Sequence, residues 1–237
     1  MSGVVAFLRS LVQFTLDNSD RLLRLFVEHI VLVVQTLVIA LPIAIGLGIA
    51  ISYNERAATV VLWAASVLLT LPAIAFFGVL VPVLGIGTPP VVAALVAYSQ
   101  LPIIRNTYLG ITQTDPAAIE AGTGLGMTRL ERLRRVRLPV ALPVVMAGIR
   151  NAVVLLVGLA TIGAFIGGPG LGFYIFYGIN QGNTAMIVVA TVAVSVLALA
   201  FDYLFAMTEH GLRLRNGEDL EPMYTTRLFD SIRTQFQ

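Results

Sequence analysis

The sequence predicts an all-α membrane protein of five transmembrane helices, with a sixth as the alternative, and three observations predict it. Of 237 residues, 57% are hydrophobic and 12% charged, about half the charged share of a soluble domain. The apolar residues gather into stretches long enough to cross roughly 30 Å of hydrocarbon, which takes roughly 20 residues each. Residues 112–138 stand apart, holding Arg129, Arg132, Arg134, Arg135 and Arg137 against three acids. That segment is too polar to cross, and its basic excess assigns it to the cytoplasm.

Residues 1–24 form an N-terminal segment in which Arg9, Ser10, Gln13 and Asp17 alternate with apolar residues at helical spacing, the pattern of an amphipathic helix lying on the membrane. A signal peptide fits less well: a small-residue cleavage site is missing, and Asp17, Asp20, Arg21 and Arg24 follow. The membrane domain covers residues 25–207. Its expected spans are 25–51, 57–80, 91–111, 139–166 and 184–207. A polar turn at 52–56 separates the first two, and Pro82, Gly85, Gly87, Pro89 and Pro90 predict a loop over 81–90. Gly167, Gly168, Pro169, Gly170 and Gly172 end the fourth span, and residues 173–179 read as a short helix on the outer face. A cytoplasmic tail, 208–237, carries Arg213, Arg215, Arg227 and Arg233. Counting back from the loop puts the N-terminus outside, against the local bias of Arg9, Arg21 and Arg24. Residues 4–16 are too short for the sixth crossing, and the chain length leaves no room for a second folded domain.

Residue types absent from the chain narrow its function. Without Cys there is neither thiolate chemistry nor a disulfide, and all fifteen basic residues are Arg, which removes a P-loop lysine and a Schiff base. Any ATP used is hydrolysed on another chain. Arginines distributed by topology do not form a nucleic-acid face. The two histidines, His29 and His210, are expected on opposite sides of the membrane, so no metal site is expected. His29, at the start of the first span, reads as interfacial.

The loop 113–139 has its own grammar. Asp115 is a helix N-cap followed by Pro116 at the first helical position, Gly122, Gly124 and Gly126 permit a bend, and Leu130, Leu133 and Val136 make a narrow apolar stripe on a basic helix. Its glycines do not suit a dinucleotide site, since no strand precedes them and no acid follows at the required distance. Glu120-Ala121-Gly122, three residues, Gly126, nine residues and Val136-Arg137-Leu138-Pro139 resemble the E-A-A, G, I-x-L-P signature of ATP-binding-cassette importer permeases. Gly122 and Val136 are conservative departures from it. The resemblance implies a type I, MetI-like permease fold. In it, Glu120, Ala121, Gly122, Gly126, Leu138 and Pro139 belong to a coupling element that docks in the ATPase, with Glu120 in contact and Gly126 allowing the turn between two coupling helices.

Further stretches, at residues 85–88, 101–108, 147–150 and 166–172, are similar to permeases for compatible solutes such as glycine betaine, carnitine, choline and proline-betaine. The implied partners are a cytoplasmic ATPase dimer, a second permease (identical or paralogous), an extracytoplasmic solute-binding protein and the lipid of the cell membrane. No cofactor is expected on this chain, ATP and magnesium being held by the ATPase. An importer for amino acids or another small amine is the nearest alternative, and an ATP-independent channel or carrier is a rival of another class. An intramembrane enzyme would need a nucleophile–base pair or a metal cluster, neither of which the sequence offers.

Charges at membrane depth are costly and call for partners. Arg105 and Arg150 flank the loop and Asp202 lies near the inner end of the last span, so Asp202 is expected to pair with Arg150 or Arg105 at an inner gate. Gly167, Gly168, Gly170 and Gly172 shape an outer gate or simply make a tight turn. Phe173, Tyr174, Phe176 and Tyr177 serve as interfacial anchors or, alternatively, offer a transient cation contact.

Overall fold

A computed structural model describes residues 2–217, which among themselves are helical with no strand. The order is α1 (Ser2–Asp17), α2 (Ser19–Ile51), α3 (Glu55–Thr70), α4 (Ala73–Leu84), α5 (Thr88–Thr112), α6 (Pro116–Gly124), α7 (Arg129–Arg132), a π-helical turn (Leu133–Arg137), α8 (Leu138–Gly163), a 3-10 turn (Ala164–Ile166), α9 (Gly172–Gln181) and α10 (Thr184–Arg215). The tail beyond residue 217, with Arg227 and Arg233, lies outside the described residues.

Three continuous helical stretches are long and apolar enough to cross a bilayer: Ser19–Ile51, Arg129–Ile166 and Thr184–Arg215. Helices α3 and α4 meet that requirement only together, as a pair bent by 99°. The expectation of one helix over 57–80 is therefore corrected. Leu71 precedes Pro72, and the steric bias of a pre-proline residue holds it extended (φ −68°, ψ 132°). The Tyr98 hydroxyl donates to the freed Leu71 carbonyl at 2.8 Å, while the Tyr98 ring packs edge-on against Phe76. We expect Tyr98→Phe to lower stability by about 1 kcal/mol through loss of this one bond, read as a fall in the detergent-solubilised melting temperature.

The loop expected over 81–90 is also shorter than the prolines suggested. Helix α4 runs on through Pro82 to Leu84, and the true connection is Gly85 to Gly87, both at positive φ. The Gly87 N–H closes onto the Ile166 carbonyl at 2.9 Å, tying this turn to the end of α8.

Helix α5 is not apolar enough along its length to stand with the three continuous spans, because Ser99, Gln100, Arg105 and Asn106 interrupt it, yet thirteen of its 25 residues are buried. It is the central helix, packed between α8 and α2 with α3 and α4 alongside, so its surroundings are protein more than lipid. By contrast α10 buries four of its 32 residues and turns Val192, Val196 and Leu199 outward. The core of Leu32, Val33, Leu95, Ile103, Ile104, Val153, Leu156 and Val157 lies between α2, α5 and α8.

Helix α1, at 16 residues, reaches about 24 Å at 1.5 Å per residue, short of a crossing. It rests against α10 and α2, with Phe14 edge-on to Tyr174 of α9. The α1–α2 junction, α9 and the glycine run thus share one end of the bundle.

Candidate functional site: the interhelical loop and the charges behind it

Residues 113–139 fold into two short helical pieces at a sharp turn. The Asp115 carboxylate accepts the Ala117 N–H at 2.8 Å, and Pro116 follows at a position where a missing N–H costs nothing. Of the three glycines only Gly126 has positive φ, 75°. The bend is made there, and the Met127 N–H closes back onto the Gly122 carbonyl at 3.0 Å. Gly122 is buried against Met127 and Arg132, whereas Glu120 and Ala121 stand exposed.

The second piece begins with a reciprocal cap. Thr128 Oγ1 accepts the Glu131 N–H, and a Glu131 carboxylate oxygen accepts both the Thr128 N–H and its hydroxyl, each at 2.9 Å. These bonds hold the Glu131 carboxyl below its ordinary pKa, the backbone bond acting most. A depressed acid pKa means that the cap is complete above the ordinary glutamate value and is lost as pH falls through the depressed one. Protection of the Glu131 amide, measured relative to its intrinsic exchange rate, should therefore hold at neutral pH and fall only in acid, and Thr128→Ala should remove that dependence. The T-x-x-E spacing that signals this cap is present in the sequence, and sequence reasoning passed over it.

The expected apolar stripe is split by the fold. Leu133 turns into the bundle at 9% exposure, while Leu130 stays 55% exposed and Leu125 77%. A π-helical turn follows at Leu133–Arg137. Pro139 cannot donate to the carbonyl four residues back, so the helix widens there, and the register of an ideal helix is lost. Leu138 and Pro139 begin α8, and the Pro139 carbonyl accepts from Asn216 Nδ2 at the far end of α10, 3.2 Å away.

Behind the loop, Arg150 of α8 grips Asp202 of α10 through Nε (2.6 Å) and Nη2 (2.8 Å). Glu209, one and a half to two turns further along α10, lies 3.8 Å from Arg150 and 2.9 Å from Arg213. Arg105 is exposed and forms no ion pair among the described residues. Sequence reasoning missed Glu209. Its position seven residues after Asp202 puts it on the same helical face, a signal that was available. Asp202→Asn should cost about 1–2 kcal/mol rather than the roughly 3–5 of a fully buried pair, because solvent screens a pair about a third exposed. Thermal unfolding of the variant measures it, and Arg150→Met together with Asp202→Leu should recover most of the loss.

At the opposite end, the glycine run is packed tightly. A Cβ on Gly170 would sit 2.9 Å from His29 Nδ1, one on Gly168 would sit 2.8 Å from the Gly163 carbonyl, and one on Gly172 would collide with the Thr161 carbonyl. Gly167 and Gly170 take positive φ, 80° and 108°. His29 is fully buried within the bundle: its Nε2 meets the Val157 carbonyl of α8 at 3.1 Å. The helical period decides this, because residue 29 shares the α2 face of Leu25, Leu32 and Val33. No metal-holding group of acids and histidines occurs among the described residues.

The rings of Phe173 and Tyr174 already carry a cation from this chain. The Arg21 guanidinium lies 4.6 Å from the Phe173 centroid and 5.6 Å from that of Tyr174. Arg24 faces Glu28 at 3.8 Å. Two of the basic N-terminal residues that ran against the charge count, Arg21 and Arg24, thus have partners at this end of the bundle.

Residues 40–214 match the family described as the binding-protein-dependent transport system inner membrane component. The choline transport system permease protein OpuBB of Bacillus subtilis is 40% identical over 202 residues, 85% of this chain and 93% of that protein. The glycine betaine/carnitine/choline transport system permease protein OpuCB of the same organism is 39% identical with the same coverage. The osmoprotectant import permease protein OsmW of Salmonella typhimurium is 39% identical over 85% of this chain and 99% of its own. In fold, the chain is similar to a solved inward-facing structure of the MetNI methionine ABC transporter, with a TM-score of 0.72, 19% identity and coverage of 81% and 95%.

Proposed function

Because this chain belongs to the family of binding-protein-dependent transport inner membrane components, we propose that it is the permease through which an ATP-binding-cassette importer brings compatible solutes of the choline, glycine betaine and carnitine class into the cell. It is a multi-pass membrane protein and a permease subunit. The observation that carries the solute class is that relatives about 40% identical over 85% of the chain are named for those solutes.

In this reading the loop at 113–139 faces the cytoplasm and docks in a separate ATPase, where Glu120, Leu125 and Leu130 offer an acid flanked by two exposed leucines. Closure of the ATPase pair on ATP draws the loops inward and turns the cavity toward the solute-binding protein outside, and hydrolysis resets it. The loop is then one end of a two-state element whose populations the nucleotide biases. The Arg150–Asp202–Glu209 network ties α8 to α10 directly behind the loop, which supports α8 and α10 moving as one lever. Two copies of this chain, or one copy with a paralogue, enclose the path.

Uptake by the assembled transporter in proteoliposomes tests the proposal. Radiolabelled choline or glycine betaine should accumulate only with binding protein outside and ATP at the loop side. Accumulation driven by an ion gradient without ATP would establish a carrier instead, and competition by an amino acid but by no quaternary amine would move the solute class.

A further inference from the structure

Three of the loop's arginines converge on one cavity with no acid in its wall among the described residues. Arg129, Arg132 and Arg137 line a space of about 220 Å³ together with Tyr53 from the turn between α2 and α3. None of the three makes an ion pair among the described residues. Arg132 spends one nitrogen on the Met127 carbonyl at 2.7 Å. The Nε of Arg137 is buried and donates to nothing in the structure. A buried guanidinium donor without an acceptor is costly, and three like charges around one cavity add repulsion. The repulsion among the three guanidinium groups is relieved when an anion with several acceptor oxygens enters.

We propose that this cavity binds a phosphate group, and that its source is the headgroup of an anionic phospholipid in the cytoplasmic leaflet. Size and chemistry select phosphate. The volume lies below the roughly 300–1,000 Å³ of small-molecule sites, which admits a phosphate but not a nucleotide. The planar fork of Arg matches phosphate oxygens in pairs. Location selects the lipid, since the cavity lies between the end of α2 and the start of α8, the ends of two apolar helices that, with the loop in the cytoplasm, both meet the inner leaflet. Basic pockets between helices at that level bind anionic headgroups, and a tyrosine at the rim is an interfacial residue. A lipid seated here would staple the α2–α3 turn to the loop and so fix where the loop stands relative to the bundle. The inference rests on the loop facing the cytoplasm and is independent of which solute is carried.

Native mass spectrometry of the full chain, with phosphatidylglycerol and phosphatidylcholine of matched chain length as probes, tests it. Wild type should retain phosphatidylglycerol preferentially, and Arg137→Gln or Arg132→Gln should each lower that retention roughly five-fold, the worth of one arginine near a charged lipid surface. Arg137→Lys should fall between, keeping the charge without the fork. Arg134→Gln removes an exposed arginine of the same loop outside the cavity and should lower retention much less than either cavity variant. In parallel, inorganic phosphate is titrated against thermal unfolding. Protection that Arg137→Gln abolishes, without any lipid preference, would keep the site and overturn the lipid as its source. Equal loss in Arg134→Gln, or no difference between wild type and the cavity variants with either probe, would overturn the site itself. Arg132→Gln stands in should Arg137→Gln not fold, as judged by its elution and helicity.

Discussion

Glu120→Arg abolishes ATP-driven uptake while the protein reaches the membrane in normal amounts: this is the expected result with the largest functional effect. Glu120 is exposed and contributes no hydrogen bond or ion pair to the bundle among the described residues, so its reversal leaves the fold alone. At an interface, losing one partner of a desolvated charged contact costs about 2–5 kcal/mol. That weakens docking of the ATPase at least about 30-fold, before repulsion is added. Pull-down of the ATPase by the variant, measured beside uptake, separates lost docking from lost transport. Gly126→Val is expected to give the same phenotype by another route. At φ 75° a β-branched residue is strained by about 1–2 kcal/mol, and the turn between the two coupling pieces opens. Uptake that persists with either substitution, with the ATPase still bound, would remove the loop from the mechanism.

A large expected effect on stability lies at the crossing of α5 and α8. A Cβ on Gly148 would stand 2.5 Å from the Asn106 Cβ and 2.8 Å from the Pro102 carbonyl oxygen. The carbonyl is backbone and cannot turn away, so the helices must separate. Gly110 of α5 faces Ala141 of α8 in the same way, and Gly48 of α2 faces Thr107. In a bilayer no hydrophobic force draws helices together, and close approach at small residues does that work. Gly148→Ala should lower stability by about 1–3 kcal/mol, and Gly148→Val by more. Gly158→Ala, ten residues along the same helix with nothing within 4 Å of its added carbon, should be neutral or stabilising by up to about 1 kcal/mol. Equal melting temperatures for Gly148→Ala and Gly158→Ala would refute the packing account.

Different parts of the molecule were legible to different degrees. The loop could be read because its signals are local: a cap before Pro116, a glycine where the chain must turn, and fixed spacings along two short helices. The bend at Leu71 was written in Pro72 but masked by a continuous apolar run, since hydropathy averages over the one residue that breaks the helix. Helix α5 shows the reverse case, a polar stretch within a span that is acceptable because its neighbours, and not lipid, surround it.

The sequence by itself determined the membrane class, the order of the spans and the motif at 120–139, because hydrophobic length and backbone chemistry act over a few residues at a time. Only the tertiary structure decided that Asp202 meets Arg150 and not Arg105, that His29 is buried against Val157, and that Arg129, Arg132 and Arg137 share a cavity with Tyr53. The physical reason is common to all three. Each depends on the rotation and close approach of segments far apart in the chain, which no local spacing encodes.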